Sequence, residues 1–307
     1  MPIKVKQSLP ARDILEKENI FVMTETRAMT QDIRPLKVLV LNLMPTKIVT
    51  ETQILRKLSN TPLQIEVEFL QTATYRSKHT DKSHLDEFYK TFDEVSNKYF
   101  DGLIITGAPL DFVDYEDVEY WDEICEIMEW SKKHVHCTFY LCWGAFAGLY
   151  YHYGIRKRDR VPKLSGIYKH KILKKKSPLF RGFDDEFYAP HSRATEVTRE
   201  QILAEPALEL MAESDEAGGA IVKSKDSRQF YVLCHTEYDA DTLKLEYERD
   251  TEKGMNPQLP VNYFPDDDPT KEPVVNWRSA GQLLWTNWIN YYVYQTTPYD
   301  INDVENE

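Results

Sequence analysis

TFYLCWGAFAGLYY, residues 138–151, changes period in the middle: an apolar run closes at Leu141, one cysteine follows, and Gly144, Ala145, Ala147 and Gly148 then fall within a helical pattern. A strand that ends at Cys142 and turns straight into a helix holds that side chain out of the sheet, at the carboxyl ends of the strands. The sulfur then lies near a helix N-terminus, where the dipole and free N–H groups favour a thiolate, and the N–H of Trp143 is placed to stabilise an oxyanion. The plainer reading of an isolated cysteine at this position is a buried residue ending a strand.

Outward from this turn the chain alternates. KVLVLNLMP (37–45) reads as a strand and loop, Thr46–Leu58 as a helix, LQIEVEFLQ (63–71) as a strand with one better-buried face, and Gly102–Thr106 as a continuous apolar strand. Tyr120–His134 is helical by spacing, His136–Cys142 is a strand, and Trp143–Tyr153 is a helix. Alternation from 37 to 153 predicts an α/β fold of flavodoxin-like kind, a mostly parallel sheet with helices on both faces. Beyond it, HKILKKKSPLF, FDDEFYAPHSR, GGAIVKSKD and RQFYVLCHTEYD read as short strands, some antiparallel, and Asp239–Arg249 and Ser279–Tyr294 as helices. Residues 37–297 are expected to form one α/β domain, with 1–36 an N-terminal extension packed on it and 298–307 a polar tail.

The charge balance of 38 basic against 50 acidic residues, a net −12, excludes a general nucleic-acid binder, which needs a basic surface. The apolar runs are strand-sized and the N-terminus carries no apolar signal core, so the reading is cytoplasmic, with no membrane span. Cys125, Cys137, Cys142 and Cys234 lack CxxC spacing, and the eight histidines do not cluster with carboxylates, so no disulfide framework and no metal site is expected.

A second segment, VLCHTEYD (232–239), gives Cys142 its chemistry. His235 follows an apolar strand and Glu237 stands two residues on, so in extended chain both point the same way. A carboxylate that fixes the tautomer and direction of an imidazole facing a cysteine makes a nucleophilic site. Alone, His-x-Glu is ordinary surface polarity; after a strand-end cysteine it is more specific.

In the order of its elbow and HTE segments, the chain resembles the class I glutamine-amidotransferase-like fold, and within it the homoserine O-acyltransferases of the MetA type. The similarity runs nearly end to end, through MPIKV, residues 21–53, TGAP (106–109), YLCWGAFAGLYYHYGI (140–155), PHSR (190–193), HTEYD (235–239) and WTNWINYYVYQTTPY (285–299). The resemblance implies that Cys142 carries the acyl group as a thioester, that His235 accepts protons, and that Glu237 supports it. It implies Lys47 beside the oxyanion, and Lys163, Ser192 and Arg249 as contacts for L-homoserine, with Arg249 suited to the carboxylate. Arg193 could share that anion-binding role. The substrates would be L-homoserine and an acyl-CoA, with no permanently bound cofactor, in a homodimer for which the aromatic C-terminal helix offers surface to bury.

The donor is implied by the position after TGAP, where a glycine leaves room for succinyl and a glutamate goes with acetyl. This chain has Asp111. A carboxylate there repels a succinyl carboxylate in a poorly solvated pocket, which favours acetyl-CoA. The alternative places Asp111 in solvent at the head of DFVDYED. Tyr140 stands where amidotransferases usually have glycine, and HTE replaces the common HPE; the first departure argues against ammonia production from glutamine. The basic runs 156–160 and 169–176 read as solvated faces, with CoA-phosphate contact as their functional alternative. Three functions are compared: the acyltransferase of methionine synthesis, with acetyl or succinyl as donor; a glutamine amidotransferase-like hydrolase; and a noncatalytic binding protein on the same fold.

Overall fold

The computed structural model describes residues 3–6, 8–17, 22–24, 34–74, 80–298 and 301. It opens with β1 (Ile3–Val5), α1 (Pro10–Lys17), β2 (Val22–Thr24), β3 (Leu36–Leu41), α2 (Lys47–Leu58), β4 (Ile65–Leu70), α3 (Lys82–Phe88) and β5 (Tyr89–Lys90). Next come β6 (Phe100–Ile105), α4 (Trp121–His134), β7 (Val135–Leu141), α5 (Trp143–Tyr153), β8 (Arg158–Ile172) and β9 (Glu186–Glu196). The chain closes with α6 (Arg199–Ala204), β10 (Leu208–Ser214), β11 (Gly218–Ser224), β12 (Gln229–Val232), α7 (Thr242–Glu252) and α8 (Arg278–Trp288), which runs into a π-turn at Ile289–Tyr294.

The described strands form one sheet in the order β2-β1-β4-β3-β6-β7-β12-β11-β10-β8-β9, with β5 on β4. Pairing from β2 through β12 is parallel, and β12-β11-β10-β8-β9 is antiparallel. Strand β3 shows why the parallel part needs helices on both faces. Val38 and Val40 pack into one apolar core with Ile54, Leu55 and Trp288, while Leu39 and Leu41 pack into another with Ile124, Met128 and Phe146. A strand buried on both sides reads as a continuous apolar run, which is how Val38–Leu41 and Gly102–Ile105 look in the sequence.

The middle of the chain departs from the sequence reading. The basic segments are not separate short strands but largely one strand, β8, of 15 residues, paired antiparallel to the 11-residue β9. Their cations face carboxylates: Arg158 and Arg160 both bond Glu196, Arg156 bonds Glu116, Lys169 bonds Glu186 and Lys171 bonds Asp215. The aromatic C-terminal helix packs into the molecule through Trp285 and Trp288, fully buried under Phe139, while Tyr294 beyond it stays exposed. Strands β1 and β2, from the first 36 residues, extend the parallel edge, and the tail beyond 301 lies outside the described residues. No described helix is long and apolar enough to cross a membrane.

Buried histidines give the fold a sensitivity to acid. His170 is fully buried against His191 Nε2 at 2.9 Å, and burial pulls its pKa down to about 4; burial does the same to His152, to about 4. A group held neutral contributes stability that is present above its unfolded pKa, about 6.5, and is lost as pH falls toward the folded value. The urea midpoint therefore falls as pH drops from about 6.5 to about 4, with His170 contributing about 3 kcal/mol of that loss. A midpoint constant over this range in a pH series of urea melts would show that these rings are charged in the folded protein.

Candidate active site

Cys142 adopts φ +45° and ψ −113°, an unfavourable conformation for an L-residue that the surrounding structure has to impose. Two anchors hold it: its N–H donates to Val232 O at 2.8 Å, and its carbonyl accepts from Phe146 N at 3.0 Å in the first turn of α5. The helix comes so close to the sheet that a Cβ on Gly144 would meet Thr106 O at 2.5 Å. Gly148 accounts for Tyr140, the residue standing where related folds have glycine: a Cβ on Gly148 would lie 2.9 Å from that ring, so the small residue sits on the helix and the large one on the strand. Trp143 opens α5, so its N–H has no intrahelical acceptor. The backbone of Gly107 closes over the same point, where an added Cβ would lie 3.6 Å from Cys142 Cβ and 3.8 Å from Trp143 N.

His235 follows β12, the strand beside β7, which places it close enough to Cys142 for the two to interact electrostatically. Its Nδ1 meets Glu237 Oε1 at 2.7 Å, with both residues buried. The segment between them is a turn rather than the extended chain expected, closed by Tyr238 N on His235 O at 3.5 Å. A turn brings the side chains of i and i+2 into contact, which an extended strand would leave side by side. Burial works against a charged imidazole here, but the negative charges of Cys142 and Glu237, and hydrogen bonds to both, outweigh it and hold the His235 pKa well above its ordinary value.

Behind Glu237 stands Lys57, a residue the sequence reading passed over. It is 5% exposed, and burial draws its pKa down to about 8 against the opposing charge of Glu237. Among the described residues Glu237 Oε2 has no hydrogen-bond partner, so Lys57 faces it as a charge.

The three expected acceptor contacts converge on the acidic face of α7. Ser192 Oγ donates to Glu246 Oε2, Lys163 Nζ reaches Asp250 Oδ2 at 3.3 Å and Glu246 at 3.9 Å, and Arg249 donates to Asp250 Oδ1 from Nε at 2.9 Å and Nη2 at 2.7 Å. Glu246 and Asp250, four residues apart on one helix face, were missed as site residues; the i,i+4 spacing was their only signal. Tyr238 joins this cluster to the base, stacking on His235 at 4.1 Å and donating from its hydroxyl to Glu246 Oε1 at 2.9 Å.

Three further positions from the sequence reading can be placed. Arg193 is not open to a ligand: it is 2% exposed and its guanidinium donates to Thr195 O, Ala217 O and His191 Nδ1. Lys47 is buried rather than an exposed helix-start lysine. Its ammonium bonds Asn42 O, and burial draws its pKa to about 8 while Glu51 pulls the other way. It shares a cavity of about 290 Å³ with Pro109, Leu110 and Val113, on the side of the Asp111 loop, and none of its described bonds reaches Cys142. Asp111 does not point into solvent: Oδ1 accepts from Ala194 N at 3.3 Å and Thr195 Oγ1 at 3.2 Å, on β9 just past Ser192.

The sheet order and the strand-to-helix cysteine define an α/β protein of the class I glutamine amidotransferase-like fold. A solved glutamine amidotransferase from Thermotoga maritima superposes with a TM-score of 0.50 over 84% of this chain and 98% of its own, at 10% identity. The family model described as homoserine O-succinyltransferase matches residues 2–299, and the chain belongs to that family. Relatives named homoserine O-acetyltransferase include one from Lachnospira eligens, 57% identical over 99% of this chain and 98% of its own. Another, from Methanomethylophilus alvi, is 58% identical over 99% of this chain and 98% of its own.

Proposed function

We propose that this protein is a homoserine O-acetyltransferase, moving an acetyl group from acetyl-CoA to the hydroxyl of L-homoserine through a thioester on Cys142. The observation that carries this reading is the continuity of two half-sites, the Cys142–His235–Glu237 line and the Lys163–Ser192–Arg249 cluster, joined through Tyr238 and Glu246. Close relatives bearing that name support it.

The chemistry follows from the raised pKa of His235. Cys142 supplies the nucleophilic sulfur, and His235, oriented by Glu237, takes its proton. The thiolate attacks the acetyl carbonyl, the oxyanion is met by the Trp143 N–H with Lys47 supplying positive charge on the donor side, and the CoA sulfur leaves and takes the His235 proton. Once Cys142 is acylated and the proton has left with CoA, the ring faces a neutral thioester on one side and Glu237 on the other. His235 becomes a neutral base when homoserine arrives. It accepts the hydroxyl proton as the oxygen attacks the thioester, and the expelled Cys142 sulfur takes that proton back from His235, which restores the starting state. An amino-acid acceptor needs partners for both ends: Arg249 and Lys163 suit its carboxylate, and Glu246 its ammonium. No step requires a resident cofactor. The resemblance also supports a cytoplasmic homodimer, which sedimentation of the purified protein reads.

CoA release with L-homoserine and either donor, with L-serine as the control acceptor, tests the function directly. Faster release with acetyl-CoA and homoserine is expected; silence with both donors would return the protein to the hydrolase reading. Asp111→Gly removes the carboxylate facing Ala194 and Thr195, so kcat/KM for succinyl-CoA should rise by roughly tenfold relative to acetyl-CoA. An unchanged donor ratio would remove Asp111 from donor choice.

A further inference from the structure

The loop after β6 carries Asp111 and turns three of its carbonyls toward one side chain. Lys157, just past α5, donates from Nζ to Leu110 O at 3.1 Å, Asp111 O at 2.5 Å and Val113 O at 2.8 Å. An ammonium has three protons, and three carbonyls of one loop match all of them. The same nitrogen lies 4.9 Å from the centre of the Tyr115 ring, which closes the loop from below. From the other side the Asp111 carboxylate is fixed to the Ala194 N–H and the Thr195 hydroxyl on β9. The loop is thus pinned twice, by its backbone to the residue before β8 and by its side chain to β9.

We propose that Lys157 is a positioning residue for donor selection: by binding the backbone of residues 110–113 it fixes the Asp111 carboxylate where an incoming acyl chain must pass. The inference rests on Asp111 facing the donor, as argued above. A lysine spent on carbonyls is not a surface charge. Burial lowers its pKa while Asp111, Asp114 and Asp159 oppose that, so the loop's own acids help keep it charged. Lys157 touches neither acyl group nor acceptor; it acts through the geometry of the loop. Loosening the clamp lets the carboxylate swing aside, and a second negative charge on the donor is then less repelled.

The test uses the full chain with Lys157→Met, Lys157→Arg and Asp111→Gly, reading kcat/KM for acetyl-CoA and succinyl-CoA, KM for homoserine, and the rate of Cys142 alkylation. For Lys157→Met the acetyl-to-succinyl ratio should fall by about tenfold, with homoserine KM and alkylation close to wild type, and Lys157→Arg should recover most of the ratio. In an Asp111→Gly background the same substitution should add little, because both act on one carboxylate. Should Lys157→Met melt too readily, Lys157→Gln retains an amide donor and should show a smaller fall. A wild-type ratio in Lys157→Met and Lys157→Gln, beside a shifted ratio in Asp111→Gly, would overturn the role of Lys157 and keep Asp111. A shifted ratio in Lys157→Met with none in Asp111→Gly would place selection in the loop backbone, and Lys157 would stand while the carboxylate reading fell.

Discussion

Cys142→Gly is expected to lose transferase activity by a factor on the order of 10⁴ or more while melting at a higher temperature than the wild type. The two effects have one origin. Cys142 sits at φ +45°, where an L-side chain is strained by about 1–3 kcal/mol and glycine is not. Relief of that strain should raise Tm by roughly 2–4 °C for a chain of this size. Loss of activity in a more stable protein leaves misfolding no part in the explanation. Incubated with acetyl-CoA without homoserine, the wild type should gain the mass of one acetyl group, removable by hydroxylamine, and Cys142→Gly should gain none. Acetylation of the glycine variant at the wild-type rate would mean that the covalent carrier is elsewhere; Cys125, Cys137 and Cys234 are the remaining thiols, and burial raises the pKa of each.

The parallel half of this fold is written in the sequence because a doubly buried strand is apolar throughout and a surface helix is apolar at intervals of three and four. Val38–Leu41 and Trp121–His134 show these two patterns clearly. Strand β8 does not: its exposed positions mix Arg158, Lys169 and Lys171 with Asp159, Val161 and Pro162, and the carboxylate partners of its cations, Glu196, Glu186 and Asp215, lie far along the chain. Helices α3 and α6 are only 7 and 6 residues long, too short for a period to repeat.

The catalytic residues were legible because a strand-end cysteine and His-x-Glu are local patterns. Lys57 and Lys157 were not, since what distinguishes each is burial against residues distant in sequence. A lone lysine looks the same whether it meets water, the carboxylate of Glu237 or three loop carbonyls. Asp111 lies between these cases: its identity suggested a role, but the Ala194 and Thr195 contacts that aim it cross 83 and 84 residues of chain.

The remaining large effect concerns Glu237. Glu237→Gln keeps the shape of the side chain and removes its charge, so the Nδ1 contact at 2.7 Å loses its ionic character. Turnover should fall by on the order of 10²–10⁴, since the ring must be both oriented and stabilised as imidazolium in each proton transfer. The pH profile separates this from simple loss of packing. His235 is held above its ordinary pKa by Cys142 and Glu237; imidazolium favoured in this way contributes stability below about pH 6.5 and loses it as pH rises through the folded value. In the wild type, kcat/KM for acetyl-CoA should therefore decline on the alkaline side, where the imidazolium is lost. The homoserine half-reaction should decline on the acid side, where the acyl-enzyme's base becomes protonated. With the carboxylate gone, the pKa of His235 falls in both states, and both limbs should move toward lower pH by about one unit, the equivalent of roughly 1.4 kcal/mol. A large drop in turnover with both limbs in their original places would make Glu237 a spacer rather than a charge. A shift of either limb to higher pH would contradict the support that the Glu237 charge gives the imidazolium.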